Sequence, residues 1–502
     1  MELEFQEQRV SCLTEKRFED LRQELTGELS IPETLPPLGR VVDCFGTVLV
    51  QERRVENGSV TVLGGIQAGV LYVPEGETPP ERLELRLPFT VTKKLALESG
   101  AQVLYRGWIR SMEARFVNSR KLLLRVSLGS ELRLLVPTEL RLAQLERRPR
   151  GLICKTETFP LRLPLCVGEK ETQLADEVLM PEEGPGAERL LKALCGVELR
   201  EQRILGEKLV FQGNLTLRIL FQTEAGELAA WSGAVPFSQY AELDRPLEED
   251  CGLSLTPILT RMEIDTDGQP DSHRLLINVS FLTQALVWGD SPVTLTQDAY
   301  YLEGSFTPQW ESLDLSPCLD RMETDLSQTL ELPREAASVL DWTLTTEGIN
   351  PGRETAVGAL SVNVLYLDGE GRLQSRLLRQ ELRLERQANP EARWDCRLRL
   401  GTELSCQGGS LRIPVTAEQC WCQATALRNL CGGSLNPEPR PEGPSLLVRS
   451  CKGDLWTVAK ENGSSLESLR AANGLEGDRL SREQLLLIPV GRGVMTMEEG
   501  KA

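Results

Sequence analysis

Apolar and polar residues alternate in short stretches along most of the chain. The segments LTLRILF (215–221) and LSVNVLY (360–366) place every second side chain on one apolar face, which is the period of a half-buried β-strand. Turn-forming residues such as Glu56-Asn57-Gly58 and Asp368-Gly369-Glu370-Gly371 separate these stretches and predict hairpins. Short helices are predicted at three places, near Leu142, Gly186 and Leu38. The pattern predicts a mainly β fold.

An internal repeat is the strongest regularity in the chain. The segment that begins with IPE at Ile31 recurs as MPE at Met180, and GGIQAGVLY (64–72) corresponds to GNLTLRILF (213–221), each 149 residues further on. A diverged third copy contains VGALSVNVLYLDGEGRLQ (357–374), but Glu381-Leu382 stand where the second copy has Pro-Phe. We therefore expect three tandem β-sandwich-like repeat domains, over residues 1–150, 151–300 and 301–432.

The pattern changes after the third repeat. The proline-rich segment GGSLNPEPRPEGPS (432–445) predicts an extended linker over residues 433–444, which would free a last domain, 445–490, from the body. In that domain LLVRS predicts a strand, and Asp454 is a candidate N-cap for a helix over Leu455–Glu461. Ser464 and Glu467 form a capping box before a second helix that ends at Asn473-Gly474, and LLLIP returns as a strand. The prediction is a small βααβ domain.

The motifs GDLW (453–456), VA (458–459), NGL (473–475) and IP (488–489) stand in the order of those of the LysM domain, which this segment resembles. The chain departs from that pattern in having no residue between Asp454 and Leu455. The resemblance implies a ligand groove between the loop before the first helix and the loop after the second. Its residues would be Gly453, Asp454, Leu455, Asn473, Gly474, Leu475 and Glu476. The alternative for each is structural, with the leucines in the core, Asp454 as a cap and the glycines in turns.

Charge and cysteine content narrow the possible partners and compartments. The chain has 56 basic and 74 acidic residues, a net charge of -18, which argues against nucleic acid and anionic membranes as partners. No run approaches the roughly 18 apolar residues of a membrane span, and the charged first residues do not read as a secretory signal. The 13 scattered cysteines are typical of reduced thiols. We expect a cytoplasmic protein without membrane insertion.

Candidate chemistry is sparse. His273 is the single histidine of the chain, and no phosphate-binding glycine motif is present. Cys420 and Cys422 are expected on one face of a strand as core residues; a zinc site would need more donors, and Cys406 and Cys431 are only loosely placed. Paired carboxylates remain possible among so many acidic residues. We expect no enzyme, no catalytic or metal-binding residues, and no cofactor.

The repeat motifs together with one C-terminal LysM-like domain resemble the family of SipL-like spore coat morphogenetic proteins, whose repeated unit is the SPOCS domain. The resemblance implies a non-enzymatic scaffold in the mother-cell cytoplasm, recruited to the forespore surface during spore coat assembly. Its LysM domain would dock to the coat-basement ATPase, stage IV sporulation protein A. The alternative is a LysM protein of the cell envelope or spore cortex that binds peptidoglycan or another glycan, and weak glycan binding is compatible with either function.

Overall fold

The computed structural model describes residues 1–490 except 57, 77–78, 95–99, 270, 316–317, 388–389, 402–403, 408, 423–424 and 439–444. The fold is mainly β, as the alternating pattern predicts. Part of the predicted turn at Glu56-Asn57-Gly58 and half of the predicted linker, residues 439–444, lie outside the described residues. No helix in the described part of the chain is long and apolar enough to span a membrane.

The first unit is a sandwich of two antiparallel three-stranded sheets. Its strands are β1 (Phe5–Ser30), β2 (Leu38–Glu56), β3 (Ser59–Pro74), β4 (Glu81–Lys94), β5 (Gln102–Asn118) and β6 (Lys121–Leu145). One sheet has the order β1-β6-β5 and the other β2-β3-β4. Side chains from both sheets, such as Val62, Ile66, Leu124 and Leu132, form one buried core. Alternation within each strand therefore turns one face of each sheet inward.

The second unit repeats this strand order. Its strands are β7 (Leu152–Leu179), β8 (Arg189–Gln222), β9 (Leu228–Leu247), β10 (Gly252–Thr266) and β11 (Arg274–Tyr301). The sheets are β7-β11-β10 and β8-β9. Gly206 has a positive φ of 62° inside β8, and the Thr216 hydroxyl donates to the Gly196 carbonyl at 3.1 Å. The two halves of β8 therefore lie side by side and correspond to β2 and β3.

The third unit has the same order with shorter strands. They are β12 (Gly304–Leu315), β13 (Cys318–Asp325), β14 (Gln328–Glu331), β15 (Ser338–Pro351), β16 (Thr355–Leu367), β17 (Leu373–Glu385), β18 (Arg393–Leu400), β19 (Ser405–Gln407), β20 (Ser410–Ile413), β21 (Val415–Cys422) and β22 (Thr425–Pro437). One sheet is β15-β16-β17; the other is broken into β13-β21-β18, β14-β20-β19 and β12-β22. The domain boundaries predicted from the sequence stay predictions.

Several local predictions differ from the structure. The segments near Leu38, Leu142 and Gly186 are not helical: Leu38 begins β2, Leu142 lies in β6, and the apolar run after Gly186 opens β8. Residues 433–437, predicted as linker, are the end of β22, where buried Leu435 pairs with Phe306. Cys420 and Cys422 lie on one face of a strand, as predicted, with their sulfur atoms 3.7 Å apart, but they are half-buried and are not core residues, because the core side of β21 carries Trp421. No metal-binding group of His, Cys, Asp or Glu occurs among the described residues.

Equivalent strands of the three units meet in the centre of the molecule. Val42 of β2, Leu191 of β8 and Leu340 of β15 are spaced by 149 residues, and all three belong to one apolar cluster. Leu71, Leu220 and Leu365, one from each unit, join the same cluster. Equivalent positions of the three units thus meet at one place, which is the arrangement expected of units placed around a common axis with approximate threefold symmetry.

A cluster of four charged side chains and one amide lies beside these apolar residues; we call it the axial cluster (Asp43, Lys192, Arg218, Asp341 and Asn363). The Lys192 ammonium lies 2.8 Å from the Asp43 carboxylate and 2.7 Å from that of Asp341. Arg218 binds Asp341 at 2.8 Å, and the Asn363 amide donates to Asp43 at 2.7 Å. Two carboxylates thus face two cations. Their mutual attraction offsets the free-energy cost of burying these charges.

Candidate functional site

The C-terminal module has the predicted βααβ order. It consists of β23 (Leu446–Asp454), α1 (Leu455–Glu461), α2 (Leu466–Asn473) and β24 (Arg479–Pro489). The two strands pair antiparallel, with Leu447 opposite Ile488. Leu455, Ala459 and Leu469 are fully buried between the helices and the strands. The first helix has the bounds that the sequence predicts.

The helix caps differ in detail from the prediction. Asp454 precedes α1, but its side chain accepts from the Thr457 hydroxyl at 3.4 Å and not from a backbone N–H. The second helix begins one residue later than predicted: Ser465 is its cap and accepts from the Ser468 amide at 3.1 Å. Ser464, which precedes this cap, is buried, and its own amide donates to the Ala459 carbonyl. Gly474 ends α2 in the left-handed conformation, with a φ of 63°.

The structure brings together the two loops of the predicted groove. The Leu455 amide donates to the Asp478 carbonyl at 2.8 Å, which joins the start of α1 to the loop after α2. Asp454 stands opposite Arg479, and Gly453 opposite Leu480, where β23 pairs with β24. The loop before α1 therefore meets the end of the loop after α2, and Leu455 and Leu475 belong to one apolar cluster.

Most of these residues have a structural role. Leu455 is fully buried, and Leu475 packs against the module's core. The Asn473 side chain donates to the Leu469 and Leu487 carbonyls and accepts from the Leu487 amide at 2.7 Å, so it ties α2 to β24. Gly474 lies in the turn after α2 and Gly453 at a register shift of β23, and both have a positive φ. Asp454, half-buried, and Glu476, exposed, remain accessible to a ligand, and a ligand at the groove stays a prediction.

The module is packed against the second unit, so the expectation of a freed last domain is wrong. The indole Nε1 of Trp456 donates to the Asp298 carboxylate at 2.8 Å, and the Lys460 ammonium binds the same carboxylate at 2.7 Å. Tyr300 donates to the Ser464 carbonyl at 2.7 Å and packs edge-on against the Trp456 ring, 5.1 Å between centroids. Asp298 and Tyr300 lie near the end of β11, and their contacts hold the α1 side of the module against the body.

The protonation states of Asp298 and Tyr300 favour the contact between the module and the second unit. Burial alone would raise the pKa of Asp298, but hydrogen bonds from Lys460 and Trp456 outweigh it and lower that pKa. Burial raises the pKa of the Tyr300 phenol to about 12, so the phenol remains a hydrogen-bond donor at neutral pH. The sequence contains no signal for the partner of Trp456, because Asp298 lies 158 residues earlier in the chain.

The opposite side of the module presents an exposed apolar surface, which we call the outer face (Leu446, Val448, Leu485 and Leu487). These side chains are 49%, 63%, 71% and 41% exposed, respectively. Val448 and Leu487 stand directly opposite each other in the β23–β24 pair. Their neighbours Leu447, Leu486 and Ile488 point the other way, into the module's core. The runs LLV and LLLI indicate this exposed surface in the sequence. A strand packed on one face alone needs only every second residue to be apolar, whereas every residue of these runs is apolar.

Comparison with protein-family models, with curated proteins and with solved structures finds no match to this chain. The main evidence on what the module does is therefore structural. It consists of the exposed outer face and of the contact between α1 and the second unit.

Proposed function

We propose that the chain is a non-enzymatic adaptor of spore coat assembly that binds a protein partner through the outer face of its C-terminal module. The partner that the family resemblance implies is the ATPase of the coat basement, a stage IV sporulation protein A-like protein. On this proposal the adaptor works at the forespore surface in the mother-cell cytoplasm.

The exposure of the outer face carries the proposal. Burying one such Leu or Val side chain against a partner contributes about 1.5–3 kcal/mol, so four adjacent ones favour association with an apolar protein surface. The α1 side of the module is held by the body through Asp298 and Tyr300. The outer face is consequently held at a fixed position relative to the three units, as docking between two large proteins requires.

A glycan is a poorer fit to this surface. Sugars are held by polar groups and by aromatic rings that stack on them, whereas the outer face consists of Leu and Val. Trp456 is the one aromatic residue in 445–490, and it is only 8% exposed because Tyr300 and Asp298 cover it. Peptidoglycan binding through Asp454 and Glu476 is the second candidate function, since both carboxylates are accessible and belong to the groove that the family resemblance implies.

The test measures the affinity of the purified full chain for the purified ATPase. Val448→Asp and Leu485→Asp each place a charge on the outer face, and we expect each to weaken binding about tenfold or more. Arg482→Asp is the matched control, because it introduces the same side chain at an exposed position of β24 away from the face. Wild-type affinity in both outer-face variants would rule out this docking surface.

Groove variants separate the two candidate functions. Asp454→Asn and Glu476→Gln should leave affinity for the ATPase unchanged. Co-sedimentation of the full chain with peptidoglycan, lost in these two variants and kept in the outer-face variants, would instead support the glycan-binding function.

A further inference from the structure

A cavity of about 780 Å³ lies where the three units meet. Strands β2 and β5 of the first unit, β8, β9 and β10 of the second, and β15 and β18 of the third contribute to its walls. The volume falls within the roughly 300–1,000 Å³ of small-molecule pockets, which occur preferentially at interfaces between domains. Ser232 and Ala234 in the lining are exposed, which indicates an opening to solvent beside β9.

Apolar side chains from all three units are incompletely packed at this cavity. Val48 and Ile109 of the first unit, Val197 of the second and Leu344 of the third line it, and each is only half-buried although the units surround it. Apolar surface in contact with water costs about 25 cal/mol per Å², so side chains in the middle of a folded protein are normally close-packed. These side chains would therefore gain from contact with an apolar ligand.

The threonine hydroxyls of the wall already have acceptors within the protein. The acceptors are the Met262 sulfur for Thr47, the Gly196 carbonyl for Thr216, the Asp43 carboxylate for Thr343, the Ser361 carbonyl for Thr345 and the Ala359 carbonyl for Thr346. A ligand would receive no hydrogen bond from these hydroxyls without breaking one that the protein makes. Polar groups on a ligand would consequently lose their hydration with little compensation here.

The charged groups of the described lining, Arg106 and Arg218, are also engaged by the protein. Arg218 binds Asp341 at 2.8 Å. Arg106 donates to the Leu398 carbonyl, and the negative charge of Glu131 acts on it. Burial nevertheless lowers the pKa of Arg106, so this environment disfavours charge. A charged ligand would have to compete with these partners.

Two thiols of the wall are neutral as well. Burial raises the pKa of Cys44 and of Cys195 to about 12, so both are protonated at neutral pH. A protonated thiol is a weak hydrogen-bond donor and packs as a small apolar group. The wall thus offers a ligand mainly apolar contact.

We propose that the central cavity binds an uncharged apolar small molecule, held by contact with aliphatic side chains of all three units. The half-buried side chains favour such a ligand, and the pairing of the threonines and arginines within the protein disfavours a polar or charged one. The site is separate from the outer face of the C-terminal module, and neither proposal depends on the other.

The test uses the purified full chain and Nile red, an uncharged dye whose emission rises and shifts to shorter wavelength in an apolar environment. We expect saturable binding of the dye. We also expect 1-octanol to displace it. Octanoate has the same number of carbon atoms but is charged at pH 7, and it should need a concentration about tenfold higher or more for the same displacement.

Matched variants distinguish the cavity from the outer face, which is also apolar. Val48→Lys and Leu344→Lys each place an ammonium group in the cavity wall, and we expect each to weaken dye binding about tenfold. Val448→Lys makes the same substitution at a 63% exposed position of the outer face, and it should leave the affinity unchanged.

Three results would overturn the proposal: no saturable binding of the dye, equal displacement by 1-octanol and octanoate, or wild-type affinity in both Val48→Lys and Leu344→Lys. Circular dichroism of each variant reports whether it is folded. If neither cavity variant folds, the two competitors with the wild-type chain and the affinity of Val448→Lys decide the question. Loss of dye binding in Val448→Lys would assign the dye to the outer face and contradict the proposal.

Discussion

Glu15 on β1 is held as a carboxylate by cations that surround it. Arg133 donates to it from the neighbouring strand, and Arg17 donates at 3.1 Å from two residues further on. Burial alone would raise the pKa of Glu15, but these arginines outweigh it and lower that pKa to about 2. The same network extends to the third unit through the contact of Arg17 with Asp395 at 2.8 Å.

The lowered pKa predicts a dependence of stability on pH. A carboxyl whose pKa falls on folding stabilises the protein above its unfolded pKa, near 4.5, and this contribution disappears as the pH falls towards about 2. Glu15→Gln should therefore lower the free energy of unfolding at pH 7 by on the order of 2–3 kcal/mol, and the difference from the wild type should vanish across that window. Thermal unfolding followed from pH 7 to 2.5 measures it.

Glu24→Gln is the control, since it makes the same change at an exposed position of the same strand. A difference between wild type and Glu15→Gln that persists unchanged to pH 2.5 would contradict the assignment of Glu15 as an ionised partner of the arginines.

Side-chain partners of this kind cannot be predicted from the sequence alone. Alternation places Glu15 on a strand, but its partner Arg133 is 118 residues away, and Asp395 lies in another unit. The axial cluster left a trace in the sequence, because Asp43 and Lys192 each interrupt an apolar run at equivalent positions of the repeat. Without the arrangement of the units, nothing indicated that the two charges meet.

At the scale of elements, period-2 patterns predicted strands correctly and failed where strands are covered on both sides. Leu190 and Ala193 pack into one apolar cluster while Leu191 packs into another, because the start of β8 lies between units. Consecutive residues are then all buried, and the alternation disappears. Such a run cannot be distinguished from a buried helix by its spacing, which explains the wrong helices near Gly186 and Leu38.

The Pro-Phe pair of the first two repeats has a local structural role. Phe89 stands opposite Gly64 and Phe237 opposite Gly213, so each ring covers a glycine on the neighbouring strand. A large aromatic side chain opposite a glycine restores packing that the glycine lacks. In the third unit Leu382 faces Gly358, and an aliphatic side chain takes the place of the ring.

The cap of α2 gives a prediction at this scale. Ser465→Ala removes the side-chain acceptor for the Ser468 amide, which should cost about 1 kcal/mol and speed hydrogen exchange of the α2 amides about fivefold in the full chain. Ser464→Ala is the matched control, because the Ser464 hydroxyl has no partner among the described residues. Faster exchange in Ser464→Ala than in Ser465→Ala would favour the capping box predicted from the sequence.

At the scale of the whole molecule, buried polar contacts connect each pair of units. The Gln284 side chain of the second unit exchanges two hydrogen bonds with the Tyr105 backbone of the first, at 2.9 and 2.7 Å. The first and third units meet through Arg17 and Asp395, and the second and third through Lys192 and Asp341. The C-terminal module adds its own contact with the second unit. The chain thus forms one body that presents the outer face of the module.

Identical units around an axis would place three like charges together, and the axial cluster avoids this. Asp43, Lys192 and Asp341 occupy equivalent positions spaced by 149 residues, yet the middle one has the opposite charge. Like charges in such a buried site would repel strongly, so the alternation of sign favours assembly of three different units from one chain.

A double-mutant cycle tests whether the units meet in this way in solution. Lys192→Met should lower the free energy of unfolding by about 3–5 kcal/mol, because it leaves Asp43 without a cation in a buried site. Asp43→Asn combined with Lys192→Met should recover much of this loss, since the remaining Arg218 and Asp341 still balance each other. Urea denaturation measures Lys192→Met, Asp43→Asn and the double variant, with Lys155→Met as the control at an exposed position. If the double variant loses the sum of the two single losses, Asp43 and Lys192 do not interact, and the threefold arrangement of the units is wrong.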